Sequence, residues 1–161
     1  NSGRMVTGNM GSEMRMNYTM MGDTVNLAAR LESSAKHYGV YNFVGENIYE
    51  ATKDEFIFRF LDFVRVKGKK IPVKVYELVS SKENAKNSDI NLIRAFENGL
   101  DCYYQQNWEK AIKYFTESQS MEDTFSSRNT TPSEVYINRC IMFKDNPPAE
   151  DWDGVWTMIS K

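Results

Sequence analysis

After Val79 the apolar residues of this chain change their period, from the alternation of strands to the spacing of helices. From Phe56 to Val66 they alternate or run on, and from Pro72 to Val79 the residues Val73, Val75 and Leu78 recur with polar residues between them. Alternation puts side chains on opposite faces of an extended strand. Lys67-Gly68-Lys69-Lys70 separates the two runs, which suits antiparallel neighbours joined by a turn. Further on the period lengthens. Ile93, Phe96, Leu100 and Tyr104 step by three and four, and Ala111, Ile112 and Phe115 repeat the step after a break at Gln106-Asn107. That spacing predicts two amphipathic helices in an αα-hairpin. Thr131-Pro132-Ser133-Glu134 has the form of a capping box with proline at the first helical position. It predicts a third helix through about Phe143, stopped by Pro147-Pro148, with Trp152, Val155 and Trp156 packing the tail back on the hairpin. Strands followed by helices argue for an α+β chain.

The polar stretch from Ser80 to Ser88 reads as a linker at the change of period. Charge changes there too: residues 1–81 carry 11 basic and 9 acidic groups, whereas residues 82–161 carry 9 and 13. The expected organisation is a first unit at 1–80, a linker at 81–88 and a helical extension at 89–161. Within the first unit, Gly3–Asn9 and Asn17–Met21 read as a hairpin around a turn at Met10-Gly11-Ser12-Glu13. Asp23 is the expected N-cap of a following helix carrying Val25, Ala28, Ala29 and Leu31, with Gly39 as its stop. Tyr41–Val44 and a short helix near Glu46–Ala51 precede the long strands.

Composition removes several classes of function. With 161 residues, 41% hydrophobic and 13% aromatic, the chain can bury a core and is no disordered tract. A net charge of −2 argues against a general nucleic-acid binder. No apolar run approaches the ~18 residues of a membrane span. Two cysteines, Cys102 and Cys140, make no disulfide framework and suit a cytoplasmic location. One histidine, His37, leaves no zinc cluster, and its place near a helix end suits a cap or surface group. No Walker phosphate loop and no GxGxxG after a strand is present. Asn17-Tyr18-Thr19 and Asn129-Thr130-Thr131 match glycosylation sequons, which stay unmodified in a cytosolic chain. The chain opens at Asn1 without an initiator methionine or signal-peptide pattern, which reads as a fragment of something longer.

The most informative segment is Tyr18-Thr19-x-x-Gly22-Asp23-Thr24-Val25-Asn26-x-Ala28-Ala29-Arg30-Leu31-Glu32. Asn26 and Arg30 are four apart and share one helix face. Arg30 offers a planar fork of donors suited to phosphate oxygens, and Asn26 can both donate and accept. An Asn and an Arg on a helix can equally be a solvated surface pair. The run resembles the signature of class III adenylyl/guanylyl cyclases. Gly8-Asn9-x-Gly11 upstream and Val66-Lys67-Gly68-Lys69 downstream follow in the family's order, so the resemblance covers about residues 1–79.

The resemblance implies a ferredoxin-like, antiparallel-rich α/β sandwich with helices on one side, here truncated at its N-terminal end. It implies that Asn26 positions the ribose for attack of its 3′ oxygen on the α-phosphate, and that Arg30 stabilises charge growing on that phosphate. Thr19 would hydrogen-bond the purine edge, and Lys67 would hold the terminal phosphates. Thr19 leans toward ATP over GTP. The family uses two divalent ions, Mg or Mn, held by two aspartates that precede the segment starting at Asn1. The chain alone is therefore expected not to turn over nucleotide, and no metal ligand is assigned; Asp23 is read as a cap. The parent's missing front could carry sensor or membrane modules. The resemblance also implies a homodimer, with the Gly8–Tyr18 hairpin as the arm across its interface and Met10, Met14 and Met16 as adaptable contacts. The competing readings are a guanylate cyclase, a pure interaction module and a nucleotide- or anion-binding domain without catalysis.

In the second half, Gly99, Tyr103, Trp108, Ala111 and Phe115 resemble a single tetratricopeptide-type repeat, with Cys102 where that repeat has an aromatic. One such hairpin forms no groove alone, since repeats need neighbours to bury their faces. It suits a cap on the sheet or dimer, or a docking site.

Overall fold

The computed structural model describes residues 1–65, 72–122, 129–149 and 151–157. Strands β1 (Val6–Ser12) and β2 (Arg15–Met21) form an antiparallel two-stranded hairpin. Register runs from Val6 opposite Met21 to Ser12 opposite Arg15, so the turn is Glu13-Met14 rather than the expected Met10–Glu13. Gly11 lies in the strand at φ 145°, where a Cβ would stand 2.1 Å from the carbonyl oxygen of Arg15. Glycine serves close backbone approach here, not the reversal itself.

Helix α1 (Asp23–Tyr38) follows. Its N-cap is Gly22, and no side chain caps it. Asp23 is thus the first helical residue and not the cap; its carboxylate acts on the positive end of the helix dipole. Gly39 ends the helix as expected, at φ 64°, with Gly39 N–H donating to Lys36 O and Val40 N–H to Ala35 O.

Strand β3 (Phe43–Gly45) and helix α2 (Glu46–Thr52) lead into β4 (Phe56–Arg65) and β5 (Val73–Ser81). β4 and β5 are antiparallel, and β3 pairs antiparallel with the other edge of β5. Register slips between Phe60 and Asp62, so Leu61 and Asp62 are both buried although they are consecutive.

Helices α3 (Asn87–Tyr104), α4 (Trp108–Met121) and α5 (Pro132–Asp145) then pack together. The Thr131 side chain accepts the Glu134 N–H, while the Glu134 carboxylate accepts from Thr130 Oγ1 instead of closing the box on the Thr131 backbone. Residues 81–88 are largely structured: Ser81 ends β5, Lys82–Asn84 make one 3₁₀ turn, and α3 starts at Asn87.

The buried side chains make one continuous cluster across this stretch. Leu31, Tyr38, Leu61, Val64 and Val75 belong to it together with Phe96, Leu100, Tyr103, Phe115 and Tyr136. Edge-on ring contacts bind its helical side, with Phe96–Phe115 at 5.3 Å and Tyr103–Tyr136 at 4.9 Å between centroids. Trp152 closes it against Tyr103, Trp108 and Phe143. The tail does more than pack: β6 (Trp156–Thr157) adds a parallel strand beside Val64 and Arg65 of β4. The sheet order is β3-β5-β4-β6, giving mixed α/β architecture with antiparallel pairs dominant. Among the described residues, no helix is long and apolar enough to cross a membrane.

Candidate active site

α1 turns one stripe inward. Leu31, Ser34 and Tyr38 are buried and Leu27 is packed against the core. Asn26 and Arg30, each one position before Leu27 and Leu31, lie about 100° round the helix from that stripe. Both are exposed, and four-residue spacing stacks them one turn apart. The hydroxyls of Ser33 and Ser34 donate to the Arg30 carbonyl at 2.9 and 2.7 Å. Thr19 is exposed on β2, opposite Gly8 in the register, and β2 contacts α1. The structure thus brings Asn26 and Arg30 onto one open face beside the strand of Thr19. Lys67 lies outside the described residues.

The N-terminal segment braces the start of α1. The Asn1 side-chain amide donates to Thr24 O at 3.0 Å, and Asn47 donates to Ser2 O at 3.3 Å. His37 is exposed in the last turn of α1, as its position suggested. Cys102 and Cys140 are free and buried, and burial pushes the Cys140 thiol up to about 12. Among the described residues no group of three or more His, Cys, Asp and Glu side chains is placed to hold a metal ion. The described donors therefore do not fit the divalent ions that cyclase catalytic domains generally use.

Two buried ionic clusters were not singled out from sequence. In the first, Arg59 on β4 donates to Glu77 on β5 through Nε at 2.9 Å and to Glu122 after α4 through Nη1 at 3.0 Å. Its guanidinium lies 4.9 Å from the Phe96 ring centroid. Glu122 also accepts the Ser133 N–H at 3.2 Å, so the N-terminus of α5 shares the excess negative charge. Burial alone would lower the Arg59 pKa; Glu77 and Glu122 outweigh it and hold the guanidinium charged.

In the second cluster, Asp62 accepts from the Tyr38 hydroxyl and from Arg139 Nη1, both at 2.6 Å. Burial, reinforced by the Asp62 carboxylate, raises the Tyr38 pKa well above the usual phenol range. Arg139 stays protonated because Asp62 overcomes the desolvation that would lower its pKa. The available signal was a charged residue at each of two positions, Arg59 and Asp62, inside an otherwise apolar strand. What alternation could not show was the bulge that turns Asp62 inward.

Residues 1–80 match the family described as adenylate and guanylate cyclase catalytic domain. A terminal-differentiation-specific adenylate cyclase of Dictyostelium discoideum is 34% identical over 145 residues, covering 88% of this chain and 7% of that protein. Adenylate cyclase 1 of Rhizobium meliloti (strain 1021) is 38% identical over 78 residues, covering 48% of this chain and 12% of that protein. The chain therefore spans only a small part of either relative. The first match is longer than residues 1–80 and so takes in helical sequence, whereas the second has the length of the first half alone. The crystal structure of the adenylyl cyclase CyaB from P. aeruginosa is similar with 32% identity and a TM-score of 0.41, covering 51% of this chain and 41% of that one. Through residues 1–80, the chain belongs to the adenylate and guanylate cyclase catalytic domain family.

Proposed function

We propose that this chain supplies the sugar-, base- and phosphate-handling side of an adenylate cyclase that converts ATP to cyclic AMP and pyrophosphate. The observation that carries the reading is the exposed Asn26/Arg30 pair on α1, set within sequence that matches the cyclase catalytic domain. In the reaction the ribose 3′ oxygen bonds to the α-phosphorus, its proton leaves, and the bond to the β-phosphate oxygen breaks.

Asn26 orients the ribose so that the 3′ oxygen faces the phosphorus. The Arg30 fork meets the charge that grows on the phosphoryl oxygens, where fixed donors contribute most. Thr19 reads the purine edge and favours ATP, and Lys67 holds the terminal phosphates. Among the described residues no cluster is placed to hold a divalent ion, and in this reading the 161-residue chain alone is inactive.

The family-like unit is residues 1–80 and residues 89–161 form the extension, joined through 81–88. The tetratricopeptide-like hairpin of α3 and α4 covers the sheet. The Gly8–Tyr18 arm serves a cytoplasmic homodimer, consistent with a β2 strand exposed along its whole length and with Met14 at 96% exposure.

The test is an assay of the purified parent protein with ATP and a divalent cation, beside its Arg30→Ala variant. Cyclic AMP from the parent and a collapse in the variant are expected. Equal yield from both would refute the role of Arg30, and no cyclic nucleotide from the parent would refute the reading as a whole.

A further inference from the structure

The helix that exposes Asn26 and Arg30 in its first half is gripped by buried side chains at its C-terminal end. Tyr38, its last residue, is fully buried two turns beyond Arg30. Its hydroxyl donates to Asp62 Oδ2 at 2.6 Å and accepts from Arg139 Nη2 at 3.2 Å, while Arg139 Nη1 donates to the same Asp62 oxygen. Asp62 is itself fixed, because its Oδ1 accepts the Phe63 N–H at 2.7 Å.

Arg139 belongs to α5, far outside the segment that matches the cyclase family. Its guanidinium lies 4.1 Å from the Trp156 ring centroid and 4.8 Å from that of Tyr136. Tyr136 in turn donates to Leu61 O at 2.7 Å. Immediately past Tyr38, Gly39 presses on the backbone before α5, where an added Cβ would stand 1.8 Å from Thr130 O. Every group in this joint is buried, ring-packed or hydrogen-bonded, so the arginine has little freedom to shift.

We infer that Arg139, acting through Tyr38 and Asp62, is a positioning residue for α1, and that the helical extension thereby sets where Asn26 and Arg30 stand. An α-helix is stiff over two turns, so a change of seating at Tyr38 is carried to Arg30, about 12 Å along the axis. Small misplacements of reacting groups are costly: about 1 Å can cost roughly a hundredfold in rate. The catalytic consequence rests on the proposed cyclase reading, whereas the mechanical one does not.

Two conservative variants test it. Tyr38→Phe keeps the ring and the Arg139–Asp62 pair but removes the hydroxyl that links them to α1. Arg139→Lys keeps the charge opposite Asp62 but loses the fork that reaches both partners. Amide hydrogen exchange in α1 is measured on the 161-residue chain, with amides of β4 and β5 as the internal reference. Both variants are expected to speed exchange over residues 30–38 by about tenfold relative to β4 and β5. In the parent protein, kcat is expected to fall about tenfold with KM for ATP held within about twofold, because Tyr38 touches no substrate.

Unchanged α1 exchange in Tyr38→Phe overturns the proposal. So does accelerated exchange with an unchanged kcat, since the contact would then serve stability alone. If the wild-type parent makes no cyclic nucleotide while both variants loosen α1, the anchor stands and the cyclase reading falls.

Discussion

Arg30 and Arg139 are the same residue type used in opposite ways. Arg30 stands on an exposed helix face, beside a hairpin whose β2 residues are all exposed. Arg139 is buried under aromatic rings and bonded to a buried carboxylate. In the first region Gly22 at the N-cap and Asn1 bonded to Thr24 O set the entry to α1, while Asn26 and Arg30 themselves stay exposed. In the second region the reverse holds: Arg59, Asp62 and Arg139 are explained by the helices packed over the sheet.

That contrast is sharpest in the response to losing charge. Arg139→Met should destabilise the chain by about 3–5 kcal/mol in urea unfolding, because Asp62 is left buried without its counter-charge. Adding Asp62→Leu should recover most of that loss, since a whole buried pair replaced by apolar groups is often near neutral. A double variant as unstable as the single one would show that the joint depends on its hydrogen bonds rather than on charge balance. Arg30→Ala should leave urea stability within about 0.5 kcal/mol, as exposed substitutions do. In the parent its kcat should fall roughly 10²–10³-fold, the usual effect of removing one preorganised donor. Large unfolding with Arg30→Ala would break the comparison.

Gly39→Ala comes next. It should cost at least about 1–2 kcal/mol for the left-handed backbone alone, and more for the clash with Thr130, measured as a lower thermal midpoint. Cys140 probes the buried side chemically. Its thiol, raised to about 12, stays protonated at pH 8 and should resist iodoacetamide until the chain unfolds. Because the folded value lies above the unfolded one, its contribution to stability is complete below about pH 9 and fades as pH rises toward 12. The smallest effect belongs to Thr19→Ala, which should shift the parent's ATP-to-GTP preference by a few-fold, about 1 kcal/mol for one neutral hydrogen bond. An unchanged ratio would remove Thr19 from the base-reading role.

β4, β5, α1, α3 and α4 could be read from periodicity, because each buries one face or one stripe. Gly39 as a stop and Thr131-Pro132 as a start could be read because their chemistry is local. The β1–β2 turn was displaced because Gly11 answers a backbone approach across the hairpin, which its neighbours in sequence do not reveal. Asp23 was misplaced because Gly22 supplies the entry geometry and leaves the aspartate inside the first turn. The joints at Arg59 and Asp62 escaped because they depend on residues 63 and 77 positions away. The pairing of Trp156 with Val64 escaped for the same reason. Of the candidate site, Asn26, Arg30 and Thr19 were visible as a motif, while the grip on the far end of α1 was not.

That last pairing has a consequence for how the protein is made. Val64 and Trp156 are 156 − 64 = 92 residues apart in the chain. A ribosome adding about 5–20 residues per second needs roughly 5–18 s to travel between them. During that interval the stretch of the β4 edge that β6 covers, at Val64 and Arg65, is bare. Unpaired strand edges recruit neighbouring chains. Until Trp156 and Thr157 emerge, the backbone groups of Val64 and Arg65 on that edge lack their strand partner and can pair with a neighbouring chain instead.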